Sequence, residues 1–147
     1  MDFFEDALRK PGFNWRGALS LASASKLSYE SPDAIGRVVK EEWGLRRTGI
    51  FKGGDTFGFA AENHRLLIVA MRGTNSIGDW ADNLRVTVKS RNYGTVHRGF
   101  FNAYNRVAPM LQKRILDAAS KGKAIWLTGH SLGGAVALLA SLELPSG

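Results

Sequence analysis

The chain has 147 residues, 44% of them hydrophobic and 22% charged, with a formal charge of +7 and a pI near 10.1. That is one domain by length, large enough to bury a core, with the balance of a soluble globular protein. It contains no Cys, which excludes disulfides, zinc–thiolate sites and a thiol nucleophile, so any catalysis must use oxygen or nitrogen groups.

Residues 14–30 predict a helix with Trp15, Leu19, Ala22 and Leu27 among its apolar contacts. Ser31-Pro32-Asp33 breaks it and starts a second helix, with Pro32 in the first turn, running through Ile35, Val38, Val39 and Trp43 until Gly44 stops it. Both read as packing elements. From Arg47 to Thr74 the period changes to two. Thr56–Ala60 and Arg65–Met71 read as strands joined through Glu62-Asn63-His64, and His64 is expected in solvent. Leu66 to Met71 is apolar on both faces, as in a strand covered on both sides, and its hairpin partner makes the sheet mixed.

Arg72-Gly73-Thr74-Asn75-Ser76 emerges from the end of that strand, where α/β sheets build their sites, and Thr74 offers both an N–H and a hydroxyl. Ser76 with Asp79 makes a capping box for a short helix carrying Ile77, Trp80 and Leu84. Capping explains Asp79 and Asp82 without a metal, since magnesium or calcium would need more oxygen ligands than the segment presents. Leu84 to Lys89 alternates like a strand with one wet face, and Asn92-Tyr93-Gly94 turns the chain. Val96-His97-Arg98-Gly99-Phe100 opens what reads as one long helix. Its apolar stripe is Phe100, Tyr104, Ala108, Leu111 and Ile115, and Gly122 ends it. His97 is either a general base or, more commonly at a helix entry, a hydrogen-bonded structural histidine.

The last 24 residues organise the rest. Ala124-Ile-Trp-Leu-Thr128 reads as a buried strand, Gly129-His130-Ser131-Leu132-Gly133-Gly134 as a sharp turn, and the Ala- and Leu-rich run that follows as a helix. Gly129-x-Ser131-x-Gly133 has the spacing of a nucleophile elbow, a strained strand-to-helix turn that lifts the serine hydroxyl above the sheet. Side chains at 129 and 133 would collide with each other or with the neighbouring strand. Ser131 would stand at a helix N-terminus, where the free Leu132 N–H and the helix dipole favour negative charge developing on a substrate. A chain with 17 glycines produces such a pentapeptide by accident, and the bland alternative is a serine that merely caps the helix. Strand before and helix after favour the elbow. No Gly-Lys-Ser/Thr follows, so a phosphate-binding P-loop is excluded.

Taken together, an Ile/Val-rich strand, Arg72-Gly73-Thr74, Ser76-Ile77-x-x-Trp80-x-x-Asn83-Leu84, Val96-His97-x-Gly99-Phe100 and Gly129-His130-Ser131-Leu132-Gly133-Gly134 come in an order that resembles the fungal-type, class 3 lipase family. The resemblance covers roughly residues 15–147. It implies an α/β-hydrolase fold, truncated after the nucleophile-elbow helix, with the N-terminal helices packed on a mixed sheet and residues 1–147 forming a single partial domain. It further implies lipid-ester hydrolysis through an acyl-enzyme on Ser131, with Thr74 and the Leu132 N–H as the oxyanion hole. Residues 75–83 match the family's lid, with Ile77 and Trp80 on it and Trp80 as its apolar anchor. Asn83, or neighbouring Asp82, falls where a polar residue orients the oxyanion hydroxyl. His130 shapes the elbow without being the catalytic histidine.

In this fold the acid and the base follow the serine. The 16 residues after Ser131 contain neither Asp nor His, and Glu143 lies on the outgoing helix, so no ordinary triad closes within the chain. The elbow strand is expected to present an exposed apolar edge that pairs with another copy or a second chain. The alternative function is an inactive lipase-like remnant that binds a lipid surface or a partner. No cofactor or metal is implied. The positive charge would aid approach to an anionic membrane, although a soluble protein with charge dispersed over solvated faces is the commoner explanation, and no basic run interleaves with aromatics as in a nucleic-acid groove. Met1 to Asp6 lacks the apolar stretch of a signal peptide and no apolar span reaches transmembrane length, so the default compartment is the cytoplasm.

Overall fold

A computed structural model of the chain describes residues 1–74 and 88–144. In chain order the elements are α1 (Glu5–Leu8), α2 (Trp15–Leu27), α3 (Pro32–Arg37) continued by a π-helical turn (Val38–Glu42), β1 (Arg46–Gly53), β2 (Thr56–Glu62), β3 (Leu66–Met71), β4 (Val88–Arg91), β5 (Gly94–His97), α4 (Arg98–Asn105), α5 (Ala108–Ser120), β6 (Ala124–Gly129) and α6 (Leu132–Leu142). The main sheet has the order β1-β2-β3-β6, antiparallel at its first two pairings and parallel between β3 and β6, while β4 and β5 form a separate hairpin.

All six residues of β3 are buried, as expected of a strand covered on both faces. Because side chains alternate along a strand, Leu66, Ile68 and Ala70 join one core with Leu27, Ile35, Val39, Trp43 and Phe59 from the N-terminal helices and β2. Leu67, Val69 and Met71 join the other, with Tyr104, Leu111, Ile115 and Val136 from α4, α5 and α6. The strand β6 is fastened to the N-terminal layer by its own side chains: Trp126 Nε1 donates to the Leu8 carbonyl at 2.7 Å and the Thr128 hydroxyl to the Leu21 carbonyl at 3.2 Å. Near the start of β6, the Lys123 ammonium lies 2.9 Å from the Glu62 carboxylate, both side chains 7% exposed, which ties the strand to the end of β2.

Three expectations change. The buried face of α2 is built from small residues, Gly17, Ser20, Ser23, Ala24 and Ser25, with Leu27, so the helix sits close on the sheet and its large residues turn outward. Trp15 is 80% exposed, in edge contact with Phe13, and Leu19 is 45% exposed. The single helix read from Phe100 to Gly122 is two helices. Pro109 lies in the first turn of α5, and its lack of an N–H and its ring break the ladder at Arg106-Val107. Two strands, β1 and β5, were not singled out by periodicity, and β5 forms because Asn92-Tyr93-Gly94 closes a hairpin, Arg91 pairing with Gly94. Among the described residues no helix is long and apolar enough to cross a membrane.

Candidate active site

In the parallel pair β3/β6, Met71 is in register with Gly129. The segments Arg72-Gly73-Thr74 and His130-Ser131 therefore leave the sheet at the same level, side by side, at the carboxyl ends of adjacent parallel strands. This is where open α/β sheets place ligands. Register, rather than any local signal, brings two sequence-distant segments into one site.

Ser131 has φ 55° and ψ −125°, the one non-glycine residue with positive φ among the described residues. A backbone held there costs about 1–3 kcal/mol and persists only where its surroundings impose it. The surroundings here are backbone. A Cβ on Gly129 would strike the main chain of Gly133, and a Cβ on Gly133 would strike the Met71 carbonyl, so both expected collisions occur, one within the turn and one with the neighbouring strand. The turn leaves Ser131 exposed while Leu132 is 5% exposed beneath it.

The helix α6 begins at Leu132. The Gly133 N–H turns back to the His130 carbonyl at 2.9 Å and those of Gly134 and Ala135 to the Ser131 carbonyl at 3.0 and 3.3 Å. The Leu132 N–H, ahead of these, is one of the donors that a helix start cannot satisfy internally. Ser131 does not cap the helix with its side chain, which removes the bland reading of this serine. The Thr74 hydroxyl oxygen is buried and has no hydrogen-bond partner among the described residues. Thr74 lines a cleft of about 830 Å³ between α2 and the elbow, walled by Ala18, Leu21 and Ala22 and closed by Tyr29, Gly129 and His130. A mostly apolar cleft with a few converging polar groups is the usual form of a small-molecule site.

His130 is exposed and its Nδ1 lies 2.9 Å from the Tyr29 hydroxyl, whose oxygen accepts from the Gly73 N–H at 3.2 Å. Tyr29 is the site residue that sequence reading missed. It stands 101 positions from His130, just past the end of α2, and nothing local marks it. The other two histidines lie apart from this cluster. His64 is exposed in the turn before β3, at the opposite end of that strand, about 20 Å of extended chain away. The Nδ1 of His97 accepts from the Gly99 N–H at 3.1 Å and caps α4, the structural role. Ile77, Trp80 and Asn83 lie outside the described residues, as does the Ser76–Asp79 capping box.

At its far end α6 is held by charge. Arg91 donates two hydrogen bonds to the Glu143 carboxylate, at 2.8 and 2.6 Å, and Tyr93 a third. The Arg91 bonds hold the Glu143 carboxyl below the usual carboxylate range. This carboxylate is committed to the β4–β5 hairpin, at the opposite end of α6 from Ser131.

The sequence model of the family described as lipase (class 3) matches residues 68–146, more than half of the chain. Among curated proteins, the lipase of Rhizomucor miehei is 33% identical over 88 residues, 56% of this chain and 24% of that protein. The lipase of Rhizopus niveus is 37% identical over 100 residues, 61% of this chain and 25% of that protein. The chain thus spans about a quarter of the length of these relatives. Among solved structures, a triacylglycerol lipase described as having a serine-protease triad at its catalytic centre superposes with a TM-score of 0.68 at 26% identity, over 90% of this chain and 56% of that one. With this architecture and this match, the chain has the α/β-hydrolase fold and belongs to the class 3 lipase family.

Proposed function

We propose that this chain carries the nucleophile and oxyanion donors of a serine hydrolase for lipid carboxylic esters, of the triacylglycerol lipase, phospholipase A or esterase type. The observation that carries the reading is the strained, exposed Ser131 between the end of β6 and the helix start at Leu132, with the backbone of Gly73 packed against it and the next residue, Thr74, carrying a buried hydroxyl that has no partner among the described residues. Its Oγ attacks the ester carbonyl carbon, and the carbonyl π pair moves onto oxygen. The Leu132 N–H, with the N–H and hydroxyl of Thr74, donates to that oxyanion, and the dipole of the 11-residue α6 adds to the stabilisation. Collapse of the intermediate expels the alcohol and leaves an acyl-serine that water hydrolyses.

The serine proton needs a base, and Glu143 is engaged with Arg91. In this reading the acid and the base are supplied from outside this chain, by further sequence or another polypeptide, on the precedent of the solved lipase with its triad. In this reading Ile77 and Trp80 belong to a lid, Asn83 orients the Thr74 hydroxyl, and His130, Gly129 and Gly133 shape the elbow. The +7 formal charge supports approach to anionic lipid surfaces. The edge of β6, which among the described residues pairs with β3 alone, supports self-association or pairing with a second chain.

The test is labelling with a fluorophosphonate ester, with the modified peptide mapped by mass spectrometry. Stoichiometric modification of Ser131, lost in Ser131→Ala, is the expected outcome, because an oxyanion hole retains part of its effect when triad members are absent. No labelling in the presence of lipid favours the non-catalytic, lipid- or partner-binding alternative.

A further inference from the structure

The oxyanion loop and the elbow belong to different strands, and backbone pairing between β3 and β6 ends at Met71 and Gly129. Beyond that last rung something else must hold Thr74 in place relative to Ser131. The contact is intimate: a Cβ on Gly73 would lie 2.6 Å from the Tyr29 hydroxyl, 2.7 Å from the His130 carbonyl oxygen and 3.2 Å from the Ser131 Cβ. Only a residue without a side chain lets the loop lie this close to the elbow.

Across the junction runs a chain of hydrogen bonds. The Gly73 N–H can only donate, so the Tyr29 oxygen accepts it at 3.2 Å. The Tyr29 hydroxyl in turn lies within hydrogen-bond distance of His130 Nδ1, 2.9 Å away. The phenol is itself anchored, because Tyr29 follows directly on α2, whose Ala24 and Leu27 are fully buried and whose Leu21 carbonyl receives the Thr128 hydroxyl of β6.

We propose that Tyr29 is a positioning residue that fixes the oxyanion loop on the nucleophile elbow, with His130 as its partner on the elbow side. The inference rests on the reading of Ser131 as nucleophile and Thr74 as oxyanion donor. Tyr29 touches no reacting atom in this role. It sets the distance between the two halves of the oxyanion hole, one half on each strand, so its loss loosens the hole without removing a donor. A displacement of about 1 Å at such a site costs roughly a hundredfold in rate, and losing one oxyanion donor outright costs about 10²–10³.

The test follows the time course of Ser131 phosphonylation in the full chain and separates the saturated rate from the half-saturating probe concentration. Tyr29→Phe is expected to slow the saturated rate about ten- to a hundredfold, leaving the half-saturating concentration and the melting temperature unchanged. His130→Gln, which attacks the same contact from the other side, should slow it as well. The double variant should be no slower than the slower single, since both break one chain. Labelling of folded Tyr29→Phe at the wild-type rate, or independent and multiplicative effects of the two substitutions, overturns the inference while leaving the Ser131 reading intact. Should Tyr29→Phe fail to fold, His130→Gln decides by the same rate criterion. A wild-type chain that is never labelled at Ser131 overturns both.

Discussion

At Ser131 the backbone carries a cost that the side chain does not explain. With φ at 55° and ψ at −125° the residue occupies a region that glycine enters without a Cβ penalty. Ser131→Ala and Ser131→Gly both remove the hydroxyl, and only the second removes the Cβ. Ser131→Gly should therefore be more stable than Ser131→Ala by about 1 kcal/mol, the steric relief being reduced by the greater freedom glycine has when unfolded. Urea denaturation of the two variants measures the difference, and equal stabilities would show that the turn is not strained. The two glycines were legible in sequence because their requirement is local to the turn and its neighbouring strand. Tyr29 was not, because its partners, Gly73 and His130, are 44 and 101 positions away.

At the level of elements, the β4–β5 hairpin is clasped to the end of the elbow helix by the two Arg91–Glu143 hydrogen bonds, and the rings and charges around them reinforce the clasp. The Lys89 ammonium lies 4.1 Å and the Arg91 guanidinium 4.8 Å from the centre of the Phe101 ring, so both hairpin cations rest on α4. Glu143 binds its proton less tightly folded than unfolded, its folded pKa being depressed chiefly by the Arg91 bonds. Its contribution to stability is thus complete above the ordinary glutamate pKa of about 4.3 and is lost as pH falls through the lower folded value. The melting temperature of the wild type should fall more steeply than that of Glu143→Gln as pH drops below that range. Parallel slopes would mean that the clasp adds nothing to stability. Glu143 looked like a bystander on the outgoing helix when read as sequence. Its partners come from a hairpin whose second strand periodicity did not reveal.

At the scale of the whole molecule, the main sheet ends at β6, which among the described residues is paired with β3 alone. All six residues of β6 are half-buried, and its outer side opens onto two clefts, one lined by α2 and one of about 760 Å³ lined by Ile125, Leu127, Leu116 and Leu138. Leu138 is 61% exposed on the latter wall. An unpaired apolar edge of this kind templates pairing with other chains. Sedimentation of the isolated chain should show association that grows with concentration, weakened in Leu138→Glu, and a monomer at all concentrations would remove the edge as an interaction surface.

The sequence by itself determined what local physics can: the strand–turn–helix of the elbow, the glycines at 129 and 133, the hydrophobic β3, the helix starts at Asn14 and Ser31, and the order of motifs that marks the family. These rest on propensity, periodicity and the volume of a Cβ, each a property of a few neighbouring residues. The tertiary structure decided which residues meet. Parallel pairing of β3 with β6 in the register of Met71 with Gly129 set Gly73 against Ser131 and brought Tyr29 onto Gly73 and His130. The small-residue face of α2 turned Trp15 and Leu19 outward. Register and close approach are set by packing of the whole sheet against its two helical layers, and no window of sequence contains that information.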